Sequence, residues 1–485
     1  MYLGIDLGTS SMKAVVIDHS QNFCATAEVE LTVSYTNGNW SEQHPRQWEA
    51  ALSQVCLKLA TQVPLDQIQR IGLTGQMHGA TCLDKRGQVL RSCILWNDGR
   101  AGDECDELNA AGARFLDRSS NIAVPGFTAP KLMWLKAHEP RVFNEIATVL
   151  LPKDYLRFAL TGEFATDASD ASGTLWLNPQ SRQWDDGLIA LSGANSDWLP
   201  DIFEGPEETG VVTARASKRF GLPRVLVVAG GGDNACAALA LGISDVGQSF
   251  ISLGSSGVFF TVSEAHRACP EKTVHAFAHA LPNRWYQMTV TLSAASSLSW
   301  LSSIVGQSVE DLVHSLSTSK KIETEVQFLP YLNGERSPHN DRNVRGVFTN
   351  LSASTTTEDL CLAVMEGVSF SFCDGLEALE HAGPKIHSAL SIGGGARSKY
   401  WLQIFANALN VVIETSENSM VGPSLGAARL ALPDQDSAYL LEEVTARFNP
   451  IEERADYYNS KLYAYRYIYQ ALKHLPADTA KGHAQ

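Results

Sequence analysis

The strongest constraint in this 485-residue chain is a short internal repeat. Residues 4–16 read Gly-Ile-Asp-Leu-Gly-Thr-Ser-Ser-Met-Lys-Ala-Val-Val, and residues 249–262 read Ser-Phe-Ile-Ser-Leu-Gly-Ser-Ser-Gly-Val-Phe-Phe-Thr-Val. Both place Ile-x-Leu-Gly-Thr/Ser-Ser between two apolar runs. That pattern predicts a strand, a tight turn and a second, antiparallel strand. Its recurrence about half a chain later predicts two related domains that open with the same device, divided here into 1–245 and 246–485. A chain of this length has room for two or three domains with sizeable cores.

Composition narrows the classes of function. Hydrophobic residues make up 44% and charged residues 19%, the proportions of an ordinary globular protein. A net charge of -15 argues against general affinity for nucleic acid or anionic membrane. The start, Met1 to Asp6, lacks a basic region followed by an apolar core, and no apolar run is long enough to span a bilayer. A cytoplasmic protein is expected. The nine cysteines are scattered singly, with no Cys-x-x-Cys pair and no zinc-like Cys/His spacing, so reduced structural thiols are expected.

Along the chain, Trp48–Leu59 has helical spacing, and the strand Ile71–Leu73 empties into the polar loop 74–79. Pro125–Trp134 reads as a proline-initiated helix and Asp167–Trp176 as a loop. A long amphipathic helix spans Glu358–Glu380, and a strand Ala389–Ile392 ends in Gly393–Ser398. Gly422–Leu430 is rich in small residues, and Leu462, Tyr465, Tyr469 and Leu472 share a helical face suited to packing. Val225–Cys236 stands out. An aliphatic strand runs into Gly230, Gly231 and Gly232, which present Asp233 and Asn234 where a ligand can come close to the backbone. The same residues also suit a plain turn capped by an aspartate.

Three glycine-rich turns end strands, at Leu7–Ser10, Leu253–Gly257 and Gly393–Ser398. Turns of this kind aim backbone amides inward, and the hydroxyls of Thr9, Ser10, Ser255 and Ser256 add donors that suit phosphate oxygens. A nucleotide bridging two domains explains three such turns better than three unrelated hairpins do. No Gly-Lys dipeptide exists for a P-loop, Gly393–Ser398 lacks the third glycine of a Rossmann fingerprint, and Gly254–Gly257 lies between two strands rather than at a nucleophile elbow.

These motifs resemble the two phosphate loops and the adenosine loop of the actin, Hsp70 and sugar-kinase superfamily. Gly126–Trp134 and Gly346–Leu351 are similar to the two signature segments of the FGGY carbohydrate kinases, with Asn350 where a glycine is common. The resemblance covers nearly the whole chain. It implies an α/β fold of two actin/Hsp70/hexokinase-like (ribonuclease H-like) domains with a central interdomain cleft, and transfer of a phosphoryl group from ATP, with Mg²⁺, to a small sugar. Gln76–Gly79, Trp96–Arg100 and Leu332–His339 narrow the implied acceptor to a ketose, D-xylulose, ahead of ribulose, gluconate or glycerol. A nucleotide-driven switch of the actin or Hsp70 kind would need an added partner-binding domain, and none is visible in the sequence.

Residue by residue, the resemblance implies that Asp233 is the general base and that Asp6 holds Mg²⁺ through water. Gly8, Thr9, Ser10 and Lys13 would line the first phosphate loop, and Gly254, Ser255 and Ser256 the second. Gly394, Gly395 and Ala396 would lie against the adenosine. Met77 and His78 are implied as the sugar loop, with Gln76, Trp96 and Asn234 as neighbours. Asp98 and Arg100 are expected to pair structurally, and Arg397 is left unassigned. The implied partners are a ketose and MgATP, not nucleic acid or membrane, and a homodimer is compatible with the resemblance.

Overall fold

The computed structural model of the chain describes residues 1–38, 40–417, 422–433, 439, 441 and 443–473. Two seven-stranded sheets, one in each half, organise it. The first comprises β1 (Tyr2–Leu7), β2 (Ser11–Ile17), β3 (Phe23–Glu30), β4 (Arg70–Gly75), β5 (Glu208–Val211), β6 (Leu226–Val228) and β7 (Gly231–Gly232). The second comprises β8 (Ser249–Leu253), β9 (Gly257–Ser263), β10 (His275–Ala278), β11 (Trp285–Thr291), β12 (Ser388–Ile392), β13 (Val412–Ser416) and β14 (Val444–Phe448).

The repeat in the sequence is a repeat in the topology. The first sheet runs β5-β6-β4-β1-β2-β3, and the second, in the matching direction, runs β14-β13-β12-β8-β9-β11-β10. In each, the opening strand pairs antiparallel with the next and parallel with a later one: β1 with β2 and β4, β8 with β9 and β12. β1 is buried along its whole length, so both faces need apolar residues and the sequence reads almost without alternation.

The small residues of 422–430 are explained by where that segment goes. The helix Pro423–Leu430 packs on β1 and β4 of the first sheet and on the helix Asp233–Ala240. A Cβ on Gly4 would lie 1.9 Å from the Ser424 carbonyl oxygen, one on Gly72 1.8 Å from that of Ala427, and one on Gly426 1.9 Å from that of Cys236. Backbone therefore meets backbone, which only glycine permits.

Most predicted elements are present, with differences that have local causes. The predicted helix at Pro125 begins at Thr128, with Pro125 in the preceding turn and Pro130 inside the first turn, where its missing N–H costs nothing. The predicted loop Asp167–Trp176 contains a short helix, Ala168–Ser172, whose first amides at Ser169 and Asp170 bond to the Asp167 carboxylate. Asn350 has φ 60°, so it occupies the left-handed position that a glycine would otherwise serve, and asparagine tolerates that position. All nine cysteines are free. Tyr465 and Tyr469 are buried, and the Tyr465 hydroxyl lies 2.6 Å from that of Tyr331. Among the described residues no helix is long and apolar enough to cross a membrane.

Candidate active site

Strand register brings two distant carboxylates to one sheet edge. Asp6 in β1 pairs with Thr74 in β4, and Thr74 pairs with Gly231 in β7, so the three share a row. Two strand spacings put Asp6 roughly 10 Å from the glycine turn that ends in Asp233. Both acids are held above the ordinary carboxylate range. Asp6 is 8% exposed and is raised to about 7, mainly by burial and then by the charge of Asp233, with Lys13 opposing. Asp233 is raised to about 6 by burial, against two hydrogen bonds from Asn234. The Oδ1 atom of Asp6 is buried and has no hydrogen-bond partner among the described residues.

The segment carrying Asp233 is a strand interrupted to make a turn. β6 and β7 both pair with β4, and between them Gly230 takes φ 76°, with room for no side chain because a Cβ would sit 1.8 Å from the Leu73 carbonyl oxygen. Asp233 is the first residue of the helix Asp233–Ala240, and Gly232 is its N-cap. The plain reading of Asp233 as a turn cap therefore fails. Its Oδ1 accepts from the Asn234 main-chain N–H at 2.7 Å and from Asn234 Nδ2 at 2.9 Å. The amide of Asn234 is thereby engaged with the acid beside it.

The first hairpin is braced from behind. Trp96 Nε1 donates to Thr9 Oγ1 at 2.9 Å, and Thr9 Oγ1 donates to Gln76 Oε1 at 3.2 Å. Gln76 Nε2 donates to Gln43 Oε1 at 3.0 Å, and Gln43 Nε2 returns to the Thr9 carbonyl at 2.7 Å. Trp96 Nε1 and Gln76 Oε1, on side chains expected beside a sugar, thus both meet the Thr9 hydroxyl. Lys13 is half exposed and lies 3.6 Å from Glu28. Within the loop after β4, Met77 is buried against Gly232, where a Cβ would lie 2.9 Å from the Met77 sulfur.

His78 has φ 70°, and its Nδ1 lies 2.8 Å from the Gly173 carbonyl, which can only accept. The proton is therefore on Nδ1, and Nε2 is left as an acceptor. Burial, then the Lys131 charge, push the ring down to about 3, so it stays neutral. Lys131, which the motif reading did not single out, anchors this loop by donating to the carbonyls of His78 at 2.9 Å and Gly126 at 2.6 Å. The signal available for it was its place in the Gly126–Trp134 signature segment. Asp98 and Arg100 pair at 2.7 Å, with Glu42 at 2.8 Å from the same guanidinium and the Trp40 ring 4.0 Å beneath it.

In the second half the matching hairpin is held by its carbonyls. Gly254 and Ser255 accept from the main-chain N–H groups of Ala295 and Ala294, each at 2.9 Å. The hydroxyls of Ser10, Ser255 and Ser256 make no hydrogen bond among the described residues, which leaves them available as donors. Gly393, at φ 91°, folds its turn against this hairpin, and a Cβ there would lie 2.9 Å from the Leu253 carbonyl oxygen. Gly395 packs on Leu253, and Gly394 faces open space beside Ala396. A cavity of 770 Å³ opens elsewhere between the halves, between Cys105 and Asn109 on one side and His339–Arg345 on the other, and neither carboxylate lines it.

Residues 1–240 match the FGGY family of carbohydrate kinases, N-terminal domain, and residues 249–433 match the C-terminal domain of the same family. A xylulose kinase of Escherichia coli (strain K12) is 43% identical over 98% of this chain and 100% of its own length. The crystal structure of a "xyloylose kinase" from Brucella ovis superposes with a TM-score of 0.93 at 44% identity, covering 97% of this chain and 99% of that one. A xylulose kinase from Rhodospirillum rubrum gives 0.89 at 28% identity over 97% and 99% of the two chains.

Proposed function

The chain belongs to the FGGY family of carbohydrate kinases, and we propose that it converts D-xylulose and ATP to D-xylulose 5-phosphate and ADP with Asp233 as the base. Asp233 takes the proton from the terminal hydroxyl as that oxygen attacks the γ-phosphorus in line. The bond to the β-phosphate oxygen breaks and ADP leaves. Such a transition state is governed by positioning and charge, so a carboxylate of moderate basicity suffices.

The observation that carries this reading is the pairing of two buried, high-pKa carboxyls on one sheet edge, beside hydroxyl-bearing hairpins that recur in both halves. Asp6, with its orphaned Oδ1, suits a hydrated Mg²⁺, an ion that keeps several waters and is bound through few carboxylates. When bound, that ion neutralises charge on the β- and γ-phosphates. Ser10, Ser255 and Ser256 would donate to phosphate oxygens from opposite walls, with Thr9, its hydroxyl proton held by Gln76, shaping the first loop, Gly8 and Gly254 allowing close approach and Lys13 adding positive charge. Gly394, Gly395 and Ala396 would support the adenosine. The neutral His78, through Nε2, would accept from a sugar hydroxyl, while Met77, Trp96 and Asn234 shape the pocket and Gln76 holds Thr9 in place. With the division at 245/246, the sugar would lie on the first half and most of the nucleotide on the second.

The test is Asp233→Ala, assayed by ADP release with D-xylulose and by calorimetry with ATP. Transfer should fall by about a thousandfold with ATP binding nearly intact; substantial residual kinase activity would remove Asp233 from this role. A panel of D-xylulose, ribulose, gluconate and glycerol checks the acceptor, and D-xylulose should release ADP fastest.

A further inference from the structure

Behind the glycine turn lies a set of buried charges to which the chemistry above assigns nothing. Lys153, Asp154 and Arg157 come from the helix Pro152–Thr161, Asp170 from the short helix Ala168–Ser172 and Asp167 from the N-cap position just before it, and all five are 0% exposed. Lys153 Nζ lies 2.5 Å from Asp154, 2.7 Å from Asp167 and 3.4 Å from Asp170. Arg157 Nη1 binds Asp154 at 2.6 Å and the Ala165 carbonyl at 2.7 Å. Burying five ionisable groups is costly, and an apolar set of equal volume would commonly stabilise a core as well or better. The cluster therefore calls for a purpose other than stability.

Its outward contacts indicate one. Arg157 Nη2 donates to the carbonyl of Ala229, just before the glycine turn. At the other end, the N–H of Gly232 donates to Ser169 Oγ at 3.0 Å, and Ser169 Oγ donates to Asp167 Oδ1 at 2.5 Å. Asp167 in turn meets Lys153. The two main-chain atoms that bracket Gly230 and Gly231 are thus both fastened to one ionic cluster, and the second lies one residue from Asp233. Glycines are required in this turn because Leu73 and Ala280 crowd it, yet three in succession have no side chains with which to hold a conformation. The restraint must come from outside the turn.

We infer that Ser169, backed by Asp167 and Lys153 and acting with Arg157 at the other end of the turn, is the positioning residue that fixes the glycine turn and so sets the placement of the Asp233 carboxylate. The inference rests on Asp233 being the base. Asp170, whose oxygens make no hydrogen bond among the described residues, is pushed well above the carboxylate range by burial, with the nearby Lys153 charge opposing.

The experiment compares Ser169→Ala, Ser169→Cys and Ser169→Thr with Asp233→Ala in the full-length enzyme, measuring kcat, KM for both substrates, ADP binding by calorimetry and thermal midpoint. Ser169→Ala should lower kcat about 10- to 100-fold, as for a misplaced reacting group, with both KM values within about twofold and ADP binding retained. Ser169→Cys keeps the volume but weakens the link to Asp167, and gives the same result if the alanine variant does not fold; Ser169→Thr, which keeps the hydroxyl, should recover most of kcat. Unchanged kcat in folded Ser169→Ala or Ser169→Cys overturns the inference and leaves the base reading standing. A loss of kcat that merely follows loss of folded protein, or that threonine does not reverse, also overturns it. Activity retained by Asp233→Ala takes down the base reading and this inference together.

Discussion

In the proposed role Asp233 must be ionised to accept a proton, and burial holds it at about 6 while the two Asn234 donors pull it down. At low sugar concentration kcat/KM is therefore expected to fall as pH drops through about 6, approaching tenfold per pH unit. Asn234→Ala removes the side-chain donor that favours the carboxylate, so the acid limb should move to higher pH; a pH-rate profile of the two proteins checks both statements. His78 contributes no limb of its own, since it is held neutral down to about 3. Replacing it with Phe, which keeps the ring packing on Phe127 but not Nε2, should raise KM for D-xylulose about tenfold, the worth of one lost hydrogen bond, with KM for ATP unchanged. As candidates, Asp6, Asp233, Met77 and His78 stand out in the sequence because each sits in a motif with local backbone demands. Lys131 and Ser169 do not, because their importance lies in which carbonyl or amide they reach across 53 and 63 residues of chain.

Among the elements, the helices Asp233–Ala240 and Pro423–Leu430 pack backbone to backbone at Gly426 and Cys236. One carries Asp233 at its first turn, and the other approaches from the second half of the chain. Arg429 Nη1 binds the carbonyls of Leu239 at 2.8 Å and Ala240 at 2.9 Å, closing the far end of the helix that begins at Asp233. Gly426→Ala would put a methyl 1.9 Å from the Cys236 carbonyl oxygen, a main-chain atom that cannot turn aside. The helices must separate, and a loss of roughly 1–3 kcal/mol is expected in urea unfolding, together with reduced kcat. The strands and hairpins of the sequence reading are in place because alternation and turn residues are local signals. The helix Ala168–Ser172 escaped it because Asp-Ala-Ser-Asp-Ala-Ser is polar, and polarity suggests a loop until the buried cations that pair with it are known.

For the whole molecule, the duplicated sheets set one hairpin in each half, and a triphosphate held by both would draw the halves together. Small-angle scattering should show a smaller radius of gyration with D-xylulose and a non-hydrolysable ATP analogue together than with either alone, and ATP hydrolysis without sugar should be slow. By itself the sequence determined the repeat, the strand-turn-strand units, the glycine turns and the identity of the acids, because these follow from side-chain periodicity and from the steric limits of a few consecutive residues. Only the tertiary structure decided that Asp6 and Asp233 share a sheet edge, that both are raised by burial, and that a helix from the second half lies on the first sheet. Those outcomes depend on register and on the exclusion of water, which arise only when segments hundreds of residues apart close on one another.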